Sequence, residues 1–590
     1  MRFIAIILFI SSACFGQTTS YQFSFENAVH HEALIEVTFP DLALEPLTVR
    51  MSRSSPGRYA LHEFAKNVYA VTATNSAGEQ LEILRPDPYS WKIMGHDGTV
   101  NLEYTLFANR GDGTYSQIDE THAHLNMPAT FMLSEELKER SIQVTFDTDN
   151  MPEWKIATQL KHLQENTYFA PNLYYFLDSP TEISDFDLRQ FTLNGENIRF
   201  VLHHPGKAQE FDTYFEKVKK IVVQQKEVFG ELPEFDYGEY TFLACYMPNV
   251  SGDGMEHRNS TVLTSFRSLG EGGMERNIGT ASHEFFHAWN VERIRPESLE
   301  PFDFTEVNMS GALWFAEGFT SYYAPLTIRR AALITPEQYV KDLAETFNYV
   351  WNSPAREYFS PIEMSYQAPF VDAATSVDPV NRENIFISYY SYGSMLALAL
   401  DLKLRKNGLT LDDYMHLMWE KYGEPEDPYD LKDLQTTLAE YANADFAEDF
   451  FSKYIYSSNM PDYENLFETV GLDLKRVSEN AFFGTFVTQD DEGFFISGNP
   501  AKNTPVYQAG LNEGDRIISI NETILGADND WKEELEKYEP GDSIELVIER
   551  FGKEQTKIVI LAEDPAYSIS INEDAPKKAK QARADWLSKK

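Results

Sequence analysis

The chain has 590 residues, and one hydrophobic core rarely serves more than about 300 residues, so roughly three or four domains are expected. Hydrophobic residues make up 43% of the chain and aromatic residues 14%, which excludes an intrinsically disordered protein. The formal net charge of −42 excludes broad nucleic-acid binding, because such a surface repels phosphate.

Residues 1–16 are typical of an export signal. Arg2 is the positive flank, residues 3–10 are apolar and small residues follow, so cleavage is predicted before Gln17. The mature chain is then expected in the periplasm or outside the cell. A lipid anchor on Cys14 is the less favoured alternative, because the usual leucine three positions earlier is absent. No other apolar run is long enough to span a membrane.

Residues 20–195 alternate apolar and polar positions in short runs such as ALIEVTF and VNLEYTLFA, separated by Gly, Pro, Asn and Asp. This pattern predicts an N-terminal β-sandwich-like domain. Strands then mix with a helix that ends at Gly230, and residues 331–465 show mainly helical periodicity. The sequence therefore predicts a multidomain α+β protein.

Short strands and glycine turns return near the end of the chain. The run that begins FFGTFVTQDDEGFFISGNP and continues into EGDRIISIN resembles a bacterial PDZ domain, predicted over residues 475–563. PDZ domains bind extended chains by strand addition, which makes a peptide or protein C-terminus a candidate partner. Packing on the catalytic domain is the equally favoured alternative. Residues 564–590 are predicted to form a basic tail, either mobile or docked as a helix.

The stretch GTASHEFFHAWN carries two histidines four positions apart, His283 and His287, with Glu284 between them. Side chains at this spacing project from one helix face, so both imidazoles can reach one metal ion. Glu284 projects beside that face, where a general base for the attacking water is needed. Two histidines satisfied by hydrogen bonds in a buried helix are the alternative.

The third ligand is predicted in ALWFAEGFTSYYAPL, where Glu317 is the sole acidic residue. An unpaired carboxylate is costly to bury in such a segment, and a zinc ion would offset that cost. Two His and one Glu leave a fourth position for water, as catalytic zinc requires. An ion pair with Arg329 or Arg330 is the alternative for Glu317.

HEFFH followed by WFAEGFT resembles a zinc metallopeptidase with a glutamate ligand. The wider run HEFFHAWNVERIRPESLEPFDF, together with SSPGRYALHEFAKNVYAV and YYSYGSMLALALDLKLR, closely resembles the glycyl aminopeptidase family, whose members carry a PDZ domain. The resemblance implies one Zn²⁺ ion, a thermolysin-like catalytic domain over residues 196–330 and a helical domain over 331–465 that completes the cleft. It also implies peptide substrates with small N-terminal residues, Gly or Ala.

The same resemblance suggests substrate-binding residues in GDGMEHRNST, which is similar to the Gly-x-Met-Glu-Asn element of related aminopeptidases. Glu256 would bind the free α-amine, and Gly254 and Met255 would line the strand that holds the substrate backbone. A turn residue in a polar loop is the alternative for Glu256. His257 replaces the asparagine of that element.

Tyr390 matches the tyrosine of a Tyr-x-Lys-Gly pattern, although the lysine is missing here. It would donate its phenol hydrogen to the oxyanion, and an aromatic packing stripe is the alternative. The other histidines and Cys245 are weaker candidates for a functional role. His203 and His204 are adjacent in strand-like sequence and point to opposite faces, and Cys245 is predicted to be a core residue.

These features predict an exported zinc aminopeptidase with no nucleic-acid partner and no transmembrane helix. A thermolysin-like endopeptidase on the same scaffold is the first alternative, because it would need no anchor for the chain end. A peptide-binding protein led by its PDZ domain, with an inactive zinc fold, is the second. The sequence leaves the oligomeric state open.

Overall fold

The computed structural model describes residues 18–371, 377–526 and 528–590. The predicted export signal and Cys14 lie outside the described residues.

The first domain is built from short strands whose apolar side chains alternate inward. In strand Glu32–Phe39, for example, Ala33, Ile35, Val37 and Phe39 are buried while the intervening side chains face outward. Its strands are β1 Thr19–Ser24, β2 Glu32–Phe39, β3 Leu47–Arg50, β4 Val68–Thr74, β5 Glu82–Asp87, β6 Ser90–Met94, β7 Val100–Phe107, β8 Gln117–Ile118, β9 His122–Leu125, β10 Ile142–Phe146, β11 Lys155–Thr158, β12 Lys161–Gln164, β13 Thr167–Ala170 and β14 Thr181–Ser184. Two short helices, α1 Met127–Thr130 and α2 Leu173–Leu177, connect them.

These strands form three sheets around one core. The seven-stranded sheet has the order β12-β13-β10-β1-β2-β7-β4, the four-stranded sheet β11-β14-β9-β8, and the three-stranded sheet β3-β6-β5. The β-rich N-terminal domain expected from the alternating pattern is confirmed.

A five-stranded sheet begins the second domain. Its strands are β15 Asp187–Leu193, β16 Glu196–His203, β17 Glu239–Cys245, β18 Asp253–His257 and β19 Ser260–Thr264, in the order β15-β16-β17-β19-β18. The predicted domain boundary at residue 195 falls inside the β15–β16 hairpin, because these strands pair over seven residues. Strand β18 lies at one edge of the sheet, beside the zinc-motif helix.

Helices cover this sheet and form the helical region. They are α3 Ala208–Phe229, α4 Gly273–Phe286, α5 Leu313–Arg330, α6 Pro336–Trp351, α7 Pro361–Ser365, α8 Ala368–Val371, α9 Pro379–Ile385, α10 Tyr389–Lys406, α11 Leu411–Met418, α12 Leu431–Tyr441, α13 Ala444–Phe450 and α14 Tyr463–Thr469. Helices α5 and α10 pack backbone to backbone, since a Cβ on Gly393 would lie 1.9 Å from the Trp314 carbonyl oxygen. This close approach brings the two helices to one site.

The C-terminal elements are β20 Leu472–Arg476, β21 Ala481–Phe482, β22 Val487–Asp490, β23 Gly493–Ile496, α15 Pro505–Gln508, β24 Arg516–Ile520, β25 Thr523–Ile524, α16 Trp531–Leu535, β26 Ser543–Arg550, β27 Lys553–Ile560, β28 Ala562–Glu563, β29 Tyr567–Ile571 and α17 Lys577–Leu587. Strands β21 to β28 form a separate small core. Strand β20 pairs with β29, so this small domain is inserted between two strands that pack on the helical region.

The segment predicted as a basic tail is integrated into the main core. The indole of Trp586, on α17, is fully buried and donates a hydrogen bond of 2.9 Å to the Tyr322 hydroxyl on α5. Arg330, also on α5, donates to the Trp586 carbonyl oxygen at 3.2 Å. Most residues of α17 are polar or basic, so its sequence shows no clear apolar face. The few apolar side chains that are buried pack α17 against α5, the helix that carries Glu317.

One helical stretch among the described residues, 379–406, is long and apolar enough to cross a membrane by length and composition. Its most apolar window is 72% buried within the protein, as expected for a core helix. It is therefore weak support for a membrane span.

Candidate metal centre and active site

Helix α4 carries His283, and its C-cap residue His287 keeps helical dihedral angles, so both side chains lie on one face as their spacing predicts. Their Nε2 atoms lie 3.0 Å apart. The Nδ1 of His287 is 2.7 Å from the carbonyl oxygen of Asn290, which can only accept a hydrogen bond, so Nδ1 carries the proton. In the neutral ring, His287 Nε2 then carries the lone pair, and it faces His283 and Glu317, where it can bind a metal ion.

Helix α5 brings Glu317 to the two imidazoles. Its Oε2 atom lies 3.5 Å from His283 Nε2 and 3.3 Å from His287 Nε2. Glu317 is 1% exposed, and Oε2 forms no well-aligned hydrogen bond within the described residues. Burial would raise the pKa of Glu317, but His287 and then His283 outweigh burial and hold the pKa below its usual range. The carboxylate is thus charged and directed at the imidazoles.

The three atoms fit a tetrahedral zinc site. With Zn–N and Zn–O bonds of about 2.0–2.2 Å, neighbouring ligand atoms of a tetrahedron lie about 3.3–3.5 Å apart. The observed edges of 3.0, 3.3 and 3.5 Å are close to this spacing. The alternative for Glu317, an ion pair with Arg329 or Arg330, is not found among the described residues: Arg330 pairs with Asp412 at 3.0 Å, and Arg329 donates to the Ile334 carbonyl oxygen at 3.1 Å.

Tyr59 of the first domain holds the other oxygen of Glu317. Its hydroxyl donates a hydrogen bond of 2.6 Å to Glu317 Oε1, and burial raises the pKa of Tyr59 well above its usual value, so the donor stays protonated. Such outer contacts orient a metal ligand. The first domain therefore contributes directly to the geometry of the metal centre.

Asn290 ties the two ligand helices together. Its carbonyl accepts from His287, and its side-chain nitrogen donates to the carbonyl oxygen of Ala316 at 3.0 Å and to the Thr320 hydroxyl at 3.2 Å. Since Ala316 precedes Glu317, the hydrogen bonds of one asparagine set the position of α4 relative to α5.

Glu284 and Glu256 lie beside the metal ligands. A carboxylate oxygen of each and a nitrogen of His287 all lie within 4.8 Å of one another. Burial raises the pKa of Glu256, and it raises the pKa of Glu284 well above its usual range. The charge of nearby Glu317 raises both pKa values further, whereas the positive charge of His287 lowers them in part. Two buried carboxylates that readily take up protons are therefore concentrated at this site.

Gly254 lets strand β18 pass directly over Glu284. A Cβ at position 254 would lie 2.2 Å from Glu284 Oε1 and 2.7 Å from Thr280 Cγ2, so no larger residue fits without displacing Glu284. Met255 packs against Gly57 of the first domain, where a Cβ would lie 2.2 Å from the Met255 sulfur. The predicted substrate residues Gly254, Met255 and Glu256 thus stand at the interface of two domains.

Tyr390 lies beside His283, near the start of α10. Its ring centroid is 5.9 Å from that of His283, and the planes are nearly parallel at 30°. It also stacks on Tyr389 at 4.9 Å. The structure therefore brings together all eight predicted site residues: His283, Glu284, His287, Glu317, Glu256, Gly254, Met255 and Tyr390.

Three features of the site were not predicted: Tyr59, Asn290 and the ion pair between Arg58 and Asp253, which holds the loop after Gly57 against β18. None of these has a diagnostic spacing, because each acts through a contact between distant segments. The sole available signal was the run SSPGRYALHEFAKNVYAV, which contains Tyr59.

Comparisons with known families agree with this geometry. Residues 20–185 match the Peptidase M61 N-terminal domain, residues 276–396 match M61 glycyl aminopeptidase, and residues 482–561 match a PDZ domain. The chain carries the domains of the M61 glycyl aminopeptidase family. It is a zinc aminopeptidase, and the predictions of the family, the enzyme class and the PDZ domain are confirmed.

A solved structure shows the same fold. An aminopeptidase N family protein from Idiomarina loihiensis superposes with a TM-score of 0.84 at 23% identity, covering 97% of this chain and 100% of that one. An M1 zinc metallopeptidase from Deinococcus radiodurans aligns at 12% identity over 75% of this chain and 94% of that one, with a TM-score of 0.44, too low to carry an argument. No curated protein matches the chain.

Replacing Tyr59 by Phe is expected to weaken zinc binding by this aminopeptidase about 10–100-fold, because Glu317 loses the donor that orients it. Competition with a chelator measures the dissociation constant. Tyr392→Phe is the matched control, since the Tyr392 hydroxyl is buried without a hydrogen-bond partner in the described chain. Unchanged zinc affinity in Tyr59→Phe would contradict the role of this contact.

Gly254→Ala is expected to lower kcat on an aminoacyl substrate by about 10²-fold or more, the scale of a displaced acid–base group, while zinc is retained. Gly252→Ala is the control, because a Cβ there meets nothing within 4 Å. Steady-state kinetics and metal analysis of both variants check this. A wild-type kcat in Gly254→Ala would show that Glu284 tolerates displacement.

Proposed function

We propose that the enzyme acts after export and removes single N-terminal residues from peptides, preferring small residues such as Gly and Ala. His283, His287 and Glu317 would hold one Zn²⁺ ion at this site. When bound there, zinc supplies a Lewis acid that polarises the scissile carbonyl and acidifies water. The proposed roles of the surrounding side chains follow from their positions.

Glu284 is the proposed general base. It would accept a proton from the attacking water and then deliver it to the leaving amine, so that the same carboxyl group serves both half-steps. Its burial, its raised pKa and its position beside His287 support this role. Gly254 would hold it in place by filling the space above it with backbone alone.

The position of Glu256 is the observation that carries the aminopeptidase proposal. This buried carboxylate lies beside His287 and Glu284, where it would pair with the ammonium group of a substrate. It stands on β18, the edge strand of the five-stranded sheet, whose outer side can accept a substrate backbone by strand addition. A fixed anchor for the amine this close to the metal ligands allows cleavage of one residue at a time.

Tyr390 is the proposed oxyanion donor, because its ring lies against His283, one of the proposed zinc ligands. The preference for small residues is supported by the family description and by the close approach of Gly57 to Glu256. A Cβ on Gly57 would lie 2.9 Å from Glu256 Oε2, so the amine end of the cleft has little spare room. Export is supported by the sequence of residues 1–16 alone.

Free and N-acetylated glycyl peptides distinguish this proposal from the endopeptidase alternative. The enzyme is expected to cleave the free peptide at least about 10²-fold faster in kcat/KM, because acetylation removes the charge that Glu256 binds. Glu256→Gln is expected to lose most of this discrimination. Equal rates on both peptides would contradict the anchor, and zinc-loaded protein that cleaves no peptide would favour the PDZ-led binding alternative.

Glu284→Gln is expected to retain zinc and to lose about 10²–10⁴-fold in kcat, since the amide cannot take a proton from water. Glu275→Gln is the matched control: this glutamate lies on the same helix, and its side chain is exposed. Metal content and kcat are measured on the same preparations. An active Glu284→Gln enzyme would refute the assignment of the base.

A further inference from the structure

A second group of metal-binding side chains lies where the first domain meets the five-stranded sheet. His122 begins β9 and Glu182 lies on β14, both in the four-stranded sheet of the first domain. His203 ends β16 and Cys245 ends β17, both in the peptidase sheet. Four donors from four strands therefore converge from two domains.

Strand register explains the convergence. In the antiparallel pair β9–β14, Ser184 is opposite His122, and Glu182 is two residues from Ser184, so His122 and Glu182 share a sheet face. In the parallel pair β16–β17, His203 is the direct neighbour of Cys245. The two faces meet, and a nitrogen of His122, a nitrogen of His203 and the Cys245 sulfur all lie within 4.8 Å of one another.

Two distances within the group suit tetrahedral zinc. Cys245 Sγ lies 3.7 Å from His203 Nδ1, and Glu182 Oε1 lies 3.6 Å from the same nitrogen. A tetrahedral ion with a Zn–S bond of about 2.3 Å and Zn–N and Zn–O bonds of about 2.0–2.2 Å places such ligand pairs about 3.3–3.6 Å apart. These two separations, both measured from His203 Nδ1, exceed this spacing by a few tenths of an ångström at most, and a nitrogen of His122 lies within 4.8 Å of the ligand atoms of His203 and Cys245.

Two of the proposed ligand atoms form no hydrogen bond within the described part of the chain. His122 Nε2 and Glu182 Oε1 are both buried without a hydrogen-bond partner among the described residues. Buried polar atoms without partners are rare in proteins, because they lose their water and gain nothing in return. His122, Glu182, His203 and Cys245 are all among the most buried polar or thiol residues of the chain.

The remaining polar atoms of the group are held as metal ligands usually are. The other nitrogen of His122, Nδ1, lies 3.3 Å from Asp119 Oδ1, which leaves Nε2 as the free donor. The second oxygen of Glu182, Oε2, lies 3.0 Å from His124 Nδ1. Carboxylate–histidine contacts of this kind fix the ring orientation and the tautomer of a ligand.

We propose that His122, Glu182, His203 and Cys245 bind a second Zn²⁺ ion, a structural one that joins the first domain to the peptidase domain. Thiolate, carboxylate and two neutral imidazoles neutralise the ion and fill all four positions, so the site is closed to water and has no catalytic role. Binding releases the thiol proton to solvent. The site stands apart from the zinc centre on α4 and α5, and its ligands belong to none of the catalytic elements.

Metal analysis of the full chain tests this site separately from the proposed function. Wild-type protein, purified without chelator, is expected to contain about two Zn²⁺ ions per chain, and the inactive double variant His283→Ala/His287→Ala about one. Adding Cys245→Ser to the double variant is expected to remove the remaining ion. His204→Gln is the matched control, because this half-buried neighbour of His203 contributes no atom to the group.

Cobalt substitution supplies a readout that does not depend on activity. Protein loaded with Co²⁺ is expected to show the near-ultraviolet charge-transfer absorption of a cobalt–thiolate bond in wild type, in His204→Gln and in the double variant. Cys245→Ser is expected to lack it. A double variant that holds no zinc, or cobalt-loaded wild type without a thiolate band, would overturn the proposal even if Cys245→Ser fails to fold.

Discussion

The carboxylate of Glu317 is the constraint on which the active site depends. It is buried in an aromatic helix, and a charge in that position must be compensated by partners of its own. Two imidazoles face one oxygen and the Tyr59 hydroxyl binds the other, so both oxygens are directed by separate structural elements. The orientation of Glu317 fixes the third corner of the metal site, and α4 fixes the first two.

The rest of the architecture serves to place groups around that carboxylate. The first domain supplies Tyr59, and its Gly57 turn closes the end of the cleft over Glu256. The peptidase sheet supplies the edge strand β18, while the helical region supplies Tyr390 through the glycine contact between α5 and α10. Helix α17 packs behind α5 and supports it from the far side. No single domain contains a complete site.

Much of this could be predicted from the sequence, because local patterns encode it. The alternation of apolar and polar residues predicted the β-rich domain, and the four-residue spacing of His283 and His287 predicted that both face the same side. Both predictions depend only on residues that are close together in the chain. Glu317 could be found because a lone acid in an apolar segment needs a partner.

Contacts between distant segments could not be predicted. Tyr59 lies 258 positions from Glu317, and no spacing rule connects them. The adjacency of His203 and His204 argued against a joint metal site, which holds for that pair, but strand pairing placed His203 beside Cys245 instead. The basic composition of the last residues suggested a tail. The docking of α17 was not predicted, because it depends on three buried side chains, Ala579, Trp586 and Leu587, that form no repeated apolar pattern.

Anomalous diffraction at the zinc absorption edge, collected from crystals of the full chain, tests the account most directly. A strong peak is expected about 2.0–2.2 Å from His283 Nε2, His287 Nε2 and Glu317 Oε2, with the Tyr59 hydroxyl still bound to Glu317 Oε1. A map with no peak among these three atoms, or with Glu317 turned away from the imidazoles, would contradict it.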